Sequence, residues 1–451
     1  MTNMQRLKLW IIAAAVLTLG ACKKDLGPDV APVTFNGQIV LDASIAGPAF
    51  PLDKVKVIIT NTANNLKNET TADAQGKISL SNISPGRYEI QATLTLTATE
   101  YASITGNYAS SEVVFNAVEQ IDITAQSGTV TVTLIYGQLA KEWIIKQIYY
   151  AGSHTSNGAM FRDQFLELYN NSDHDLYADS LYFGQVYGIN TARESQDMTK
   201  PYFLPTGSFD WTKSIGMSDT RANDNYVYCR SVFRIPGNGK TYKVAPGASI
   251  IIAQNAQNHK APYVGATGES VTVKDPSLTV DLSNADFEVY LGNYPGNNQL
   301  ASDVDNPAVP NIETILRGSG RDLILDNLGR EAIVIFKWPG GAPAQWPTFP
   351  SPEETTVTTA TSKYIQVPAT YLEDAVELQQ TPVARRTAKR IPAISDAGYT
   401  YVPGGSYSSQ SSIRKTKSVV NGRRILQDTN NSTNDFGSLT KADPSKTAFA
   451  D

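Results

Sequence analysis

Three features of this 451-residue sequence predict an all-β fold, a small β-sandwich followed by a larger one with long loop insertions. Short segments alternate apolar and polar residues with period two, as strands with one buried face do. Clusters of Gly, Pro, Asn, Asp and Ser separate those segments and supply turns. Tyr (22) outnumbers Phe (14), and Asn, Ser and Thr abound, as in extracellular β-proteins. Charged residues make up 18%, below the roughly 25% usual for soluble domains. The length suffices for two or three domains, each with its own core. Three His and two Cys exclude a Cys/His zinc module, a haem-attachment site and a disulfide framework.

The chain opens with Arg6 and Lys8, an apolar run from Leu9 to Leu19, then Gly20-Ala21-Cys22. A basic start, a short apolar core and small residues describe a secretory signal over 1–21. Such a run makes about 16 Å of helix at ~1.5 Å per residue, too short for a hydrocarbon core of about 30 Å. Leu19-Gly20-Ala21-Cys22 resembles the bacterial lipobox, which implies acylation of Cys22 as the mature N-terminus; the alternative is an ordinary signal with a Cys nearby. Several acyl chains on one residue anchor a protein stably. Residues 22–33, with Gly27, Pro28 and Pro32, read as a lipidated tether. Lys23-Lys24-Asp25 is similar to the signals that send Bacteroidota lipoproteins to the outer face of the outer membrane, though one acid follows the lysines instead of several. The expected address is the outer membrane, lipid-anchored and cell-surface exposed, with a periplasmic orientation as the alternative. Loss of Arg6 and Lys8 with the signal takes the formal charge from -5 to -7, which speaks against nucleic acid as a partner.

The first sandwich is expected over 34–136. Val55, Val57 and Ile59 line one face of a strand, and Val130, Val132 and Leu134 one face of another. Asp73-Ala74-Gln75-Gly76 and Ser84-Pro85-Gly86 are turns. This stretch resembles the carboxypeptidase-regulatory-like, prealbumin-type domain through Gly37, Pro51-Leu52, Val55, Val57, Asp73, Gly76, Ile78, Pro85-Gly86 and Tyr88. It departs in a longer Leu41–Phe50 segment and in Gln75, where a second acid is common. The resemblance implies a non-catalytic spacer.

The second sandwich is expected over 137–436. Its strands begin at Trp143-Ile144-Ile145 and continue with Phe165-Leu166-Glu167-Leu168-Tyr169-Asn170, where Leu166 and Leu168 face one side and Phe165, Glu167 and Tyr169 the other. Val244–Ala253, Phe287–Leu291 and Ala332–Phe336 follow. Together with Pro246-Gly247 and the terminal Asp428-Thr429-Asn430-Asn431 and Asp435-Phe436, this order resembles the lamin-tail domain, an immunoglobulin-like sandwich. About 300 residues separate the landmarks, where such a sandwich needs ~100. The excess lies in polar stretches near 185–240, 255–320 and 337–400, expected to be loops in which any ligand contact should be sought. Residues 437–451 are expected to be a disordered tail. The whole arrangement is similar to a family of Bacteroidota outer-membrane lipoproteins that tend to accompany TonB-dependent transporters.

Catalytic chemistry has little support. Glu167 reads as a strand glutamate bonded to backbone at a sandwich edge, and Asp163 lies about 13 Å along the strand at ~3.3 Å per residue. Asp303-Val304-Asp305-Asn306 and Asp281 with Asp286 offer oxygens, but the spacing breaks the EF-hand pattern, so no metal is expected. His154, His174 and His259 lack metal-ligand spacing, and Cys229 needs a base that the sequence does not show. No cofactor is expected.

Two sets of residues are candidates for ligand contact. Arg385 and Arg386, with Arg423 and Arg424, would form an anion-binding patch if the fold joined them; the alternative is solvated strands whose charges discourage edge pairing. Trp211, Trp338 and Trp346 in the long stretches could stack on sugars or pack the insertions. The leading expectation is a non-catalytic accessory, capturing ligand for a TonB-dependent barrel. A surface adhesin or glycan-binding lipoprotein is the first alternative, and a hydrolase with a site assembled in the insertions the second.

Overall fold

The computed structural model describes residues 31–42, 49–105, 112–124, 128–136, 142–420 and 422–451. The expected signal peptide, Cys22 and most of the tether lie outside them. Strands β1 (Val33–Leu41), β2 (Lys56–Asn61), β3 (Lys67–Thr71), β4 (Lys77–Ile83), β5 (Gly86–Leu96), β6 (Val113–Ile123) and β7 (Val130–Tyr136) form the first domain. Their order is β3-β2-β5-β6-β7-β1-β4, with β1 and β7 parallel. The apolar face predicted for each strand meets in one core, with Val55, Val57, Ile59, Val132 and Leu134 buried among Phe35, Ile90 and Phe115. The Asp73–Gly76 turn has a clear cause. Asp73 Oδ1 accepts from Gln75 N and Lys77 N (2.9 and 2.7 Å), and Gly76 sits at φ 78°, where a Cβ would lie 2.6 Å from Ile39 O.

Two facing sheets build the rest. One runs Phe287–Glu288, Ser249–Ala253, β9 (Phe165–Asn170), β8 (Trp143–Tyr149), Ser411–Arg414 and Phe436–Leu439. The other runs Thr348–Pro350, Lys363–Pro368, Tyr226–Arg234, Tyr182–Val186, Ala332–Phe336 and Leu372–Glu377, with Glu313–Leu316 added beside Tyr226–Arg234. Ile145, Leu166, Leu168 and Ile252 of the first sheet pack on Phe183, Phe233, Ile333 and Val376 of the second. This is the sandwich that the alternation predicts. The stretches 185–240, 255–320 and 337–400 are not merely loops, however. They supply Tyr226–Arg234, Glu313–Leu316 and Lys363–Pro368, together with the turn Ala369–Tyr371 and the edge strand Leu372–Glu377. The outer face of that sheet is itself buried, with Val227, Val334, Phe336, Trp346 and Val367 in a second cluster. A strand covered on both sides has no clean polar face to reveal it.

Two further expectations change. Glu167 lies in the middle of its sheet, between β8 and Ser249–Ala253, and not at an edge. It is fully buried, 2.9 Å from the equally buried Lys146, and accepts from Gln147 Nε2 (3.0 Å) and Ser249 Oγ (2.5 Å). The 437–451 segment is ordered. Its first residues continue a strand paired with Ser411–Arg414, and the rest covers the Lys146–Glu167 pair. Lys146 Nζ donates to Lys446 O (2.8 Å) and lies 3.9 Å from the centroid of the Phe449 ring. A buried ion pair needs its remaining donors satisfied, and this segment supplies a carbonyl and an aromatic face.

The domains meet through the β5 and β6 side of the first. Asn116 Nδ2 donates to Thr429 O (2.7 Å), and Lys417 pairs with Glu112 at 2.6 Å.

Candidate functional site

The groove between the domains gathers charge that the chain as a whole lacks. Its first section is a cavity of about 360 Å³ lined by Arg87 and Glu89 of β5, Gln120 of β6, Arg193, Glu194, Thr206, and Arg386 to Lys389 with Tyr399. A second section of about 240 Å³ shares Gln120, Thr206, Ala388 and Lys389 with it, and continues past Tyr187, Phe209, Trp211 and Tyr226. One end is therefore cationic and the other aromatic.

Local sequence positions each group. Pro382 opens a single 3-10 turn, Val383–Arg385, that delivers Arg386 to the groove wall. Arg386 Nε donates to Gln380 O (3.1 Å) and Nη1 to Tyr399 Oη (2.8 Å). Its guanidinium lies over the rings of Tyr399 and Tyr401, at 4.7 and 4.6 Å from their centroids, which fixes the plane. Nη2 is buried and has no hydrogen-bond partner among the described residues. Lys389 Nζ donates to two backbone carbonyls, Asp396 O (2.7 Å) and Gly398 O. Arg193 Nε likewise spends its bond on Pro205 O (2.8 Å). Arg87 meets Gln120 Oε1 (3.2 Å) and reaches the exposed Glu194 at 3.9 Å. Burial, with Glu89 beside it, pushes the Tyr399 phenol up, so it stays a hydrogen-bonding group. Glu89 is buried and accepts from Gln91 Nε2 at 2.8 Å.

At the aromatic end Trp211 stacks on Tyr228 (centroids 3.5 Å apart, 9°), and Tyr187 on Tyr364 (3.7 Å, 12°). Asn223 pins this loop by accepting from Trp211 N (2.8 Å) and donating to Phe209 O (2.6 Å).

The predicted residues thus divide. Trp211 and Arg386 line one groove. Trp338 and Trp346 stack on each other (3.9 Å, 17°) over the outer face of the seven-stranded sheet; Trp346 is buried, and Trp338 edges a shallow hollow with Tyr371 and Glu373. Arg385 is exposed at the turn. Arg423 and Arg424 lie on the Thr416–Leu426 hairpin and do not join Arg385 and Arg386. Arg423 donates to Asn171 O (3.0 Å) and Ser172 O, and Arg424 engages Thr416 Oγ1 (2.9 Å) and Asp451. Their charge is taken up by nearby carbonyls and a carboxylate, so the two basic clusters form no common patch. Lys389 belongs to the basic run that begins at Arg385, whereas Arg87 and Arg193 carry no local signal of a site; the topology brings them to it.

The remaining chemical candidates have structural duties. Burial pushes the Cys229 thiol up and holds His259 down to about 4. Asp281 accepts from Ser283 N (2.9 Å), Asp286 from Ile251 N (2.7 Å), Asp303 from Leu291 N (3.1 Å) and Asp305 from Asn311 Nδ2 (2.7 Å). Among the described residues no three His, Cys, Asp or Glu are grouped to hold a metal ion.

Asp163 yields a pH prediction. It is fully buried beside Tyr149 Oη (3.2 Å) and Ser153 Oγ (3.4 Å), and burial pushes its carboxyl up to about 7. The unfolded value is about 3.9. Between the two the native state holds a proton that the unfolded chain has lost, so the stability it contributes falls as pH rises from about 4 to 7 and then levels. The effect is on the order of 4 kcal/mol. Urea denaturation should show the gap between Asp163→Asn and the wild type shifting in the mutant's favour by that order over the interval. An unchanged gap would mean that Asp163 is ionised in the fold.

Residues 245–443 match a family described as "Protein of unknown function (DUF4876)". The chain is similar to the crystal structure of a DUF4876 family protein from Bacteroides thetaiotaomicron, with 25% identity and a TM-score of 0.50, over 93% of this chain and 98% of that one. Lower superpositions join 24% of this chain to 92% of a Pseudomonas aeruginosa protein proposed to bind carbohydrate (17% identity, TM-score 0.19). Another joins 78% to 87% of a proposed adhesin from Bacteroides ovatus (9%, 0.17). At those scores neither bears on function. No curated protein matches the sequence. Among the described residues no helix is long and apolar enough to cross a membrane. In the sequence of residues 245–443 and in overall fold, the chain is similar to the DUF4876 proteins.

Proposed function

We propose that this chain is a non-catalytic binding protein that takes an anionic glycan in the groove between its domains. The observation that carries the reading is Arg386, a guanidinium oriented by two tyrosine rings, with Nη2 buried and without a partner among the described residues. Lys389, with backbone carbonyls as partners, stands three residues on. A planar fork suits a carboxylate or sulfate, and the adjoining aromatic wall suits a sugar face. The chain carries a net charge of -5, so a groove with four cationic side chains against Glu89 and Glu194 is a local exception that favours anionic ligands.

Retention on immobilised acidic polysaccharide, but not on its neutral counterpart, is the expected result at moderate salt. Equal retention on both, or none on either, would remove the reading.

The address is part of the same proposal: lipidation at Cys22 and outer-membrane display, supported by Leu19–Cys22 and Lys23-Lys24-Asp25. So are the prealbumin-like and lamin-tail-like assignments of the two sandwiches, supported by the motifs that suggested them. A TonB-dependent barrel as recipient of the glycan belongs here too. Mass spectrometry of gently solubilised outer membrane should find such a barrel with the tagged protein in near-equal amount. Recovery of the protein alone would exclude it.

A further inference from the structure

The Trp338 hollow is separate from the groove. It holds about 580 Å³ over the outer face of the seven-stranded sheet and shares no lining residue with either groove section. Its aromatic part is a fixed corner. Trp338 rests on Trp346, and the Tyr371 ring stands 5.3 Å from Trp338 at 80°. Trp346 is held in turn by Tyr182, 5.1 Å away at 66°. The two segments that make the corner are tied together, since Lys337 N donates to Tyr371 O (3.2 Å). Both rings stay partly exposed.

The polar rim is uncommitted. Glu373, Lys337, Thr370 and Ser180 line the hollow, and among the described residues their side chains have no hydrogen-bond or ion-pair partner. Asp179, also at the rim, is taken up by Gly239 N, Thr241 N and Tyr242 N (3.1, 2.8 and 2.7 Å). One carboxylate, one ammonium and two hydroxyls thus remain open around the aromatic corner, with one free charge of each sign. Ser180 sits at φ 59°, a left-handed backbone that costs a non-glycine residue energy and recurs at ligand sites.

We infer that this hollow is a second binding site, for one or two uncharged pyranose sugars. A pyranose presents a C–H face that packs on aromatic rings and a rim of hydroxyls that both donate and accept. The hollow offers the matching pair, an aromatic corner with convergent donors and acceptors. An anion would meet Glu373 as well as Lys337. An apolar side chain of another protein would strip water from four polar groups without replacing their hydrogen bonds. One or two sugars in an open hollow bind at roughly millimolar Kd, too weakly to retain the protein on a column.

The test is saturation-transfer NMR of the full chain with tetraoses of glucose, mannose and xylose at millimolar concentration. At least one should receive saturation, and its titration gives Kd. Trp338→Ala should abolish the signal. Glu373→Ala breaks no contact within the fold and should raise Kd by roughly 3- to 10-fold, which keeps the test independent of any loosening around Trp346. An excess of a uronate disaccharide should leave the signal in place. Silence from all three sugars overturns the site, as does a signal that both variants leave unchanged. Displacement by the uronate would put the neutral sugar in the groove and overturn the hollow too. A uronate that fails to bind overturns the groove reading and not the hollow.

Discussion

Arg414→Met should lower the stability of the protein by about 3–5 kcal/mol at neutral pH, the cost typical of breaking a buried ion pair from one side. Arg414 is buried, with Nη2 on Asp374 of the opposite sheet and Nη1 3.4 Å from Asp428 and 3.6 Å from Asp435. Its Nε donates to Ile145 O (2.8 Å), and the ring of Phe436 lies 4.6 Å beneath the guanidinium. One side chain therefore joins both sheets to the 428–436 turn. Removing it strands three buried carboxylates, which must either stay charged without a partner or take up protons. Burial already raises the Asp374 and Asp435 carboxyls above their usual range despite the arginine. Without it they rise further, and a raised acid gives stability that is lost as pH rises through its folded value. The deficit should thus be larger at pH 8 than at pH 5. Urea denaturation at both values checks this, and a loss below about 1 kcal/mol at pH 8 would mean that the network is incidental.

The same network explains why one stretch of sequence was so legible. Asp428-Thr429-Asn430-Asn431 and Asp435-Phe436 are a hydrogen-bonded turn. Asp435 accepts from Thr429 N and Oγ1 (both 2.8 Å), Asn431 caps Thr433 N (3.1 Å), and Phe436 supports Arg414. Short-range bonds leave a local signature, and so do strands with one wet face, as in β2 and β7. Pro246-Gly247 was equally readable, because Gly247 sits at φ 77° in the turn before Ser249–Ala253. Partners far apart in the chain leave none. Nothing near Phe449 indicates that it will cover Lys146, 303 positions earlier. The Arg385–Arg386 and Arg423–Arg424 pairs look alike in sequence. The fold closes carbonyls and Asp451 around the second pair and lays Arg386 over the Tyr399 and Tyr401 rings. Tyr226–Arg234 was hidden for a different reason, since both of its faces are buried.

Arg386→Ala should weaken binding of an acidic oligosaccharide by roughly 10- to 100-fold, or about 1.4–2.7 kcal/mol. The loss combines the charge, the planar fork and the orientation that Tyr399 and Tyr401 impose. Arg386→Lys keeps the charge but not the fork and should fall between the two. Arg423→Ala removes a charge from the separate Thr416–Leu426 hairpin and should leave affinity unchanged, which separates a placed guanidinium from net charge. Isothermal titration of the three variants, each with an unchanged far-ultraviolet spectrum, reads the effect. An Arg423 loss equal to that of Arg386 would point to non-specific attraction.

The most direct test of the groove is hydrogen–deuterium exchange of the intact protein with and without saturating acidic oligosaccharide. Binding in the groove predicts slower exchange in 383–399, around Thr206 to Trp211 and in β5 and β6 near Arg87 and Gln120. It also predicts little change on the Thr416–Leu426 hairpin. Protection confined to that hairpin, or spread evenly over the surface, would contradict a binding site between the domains.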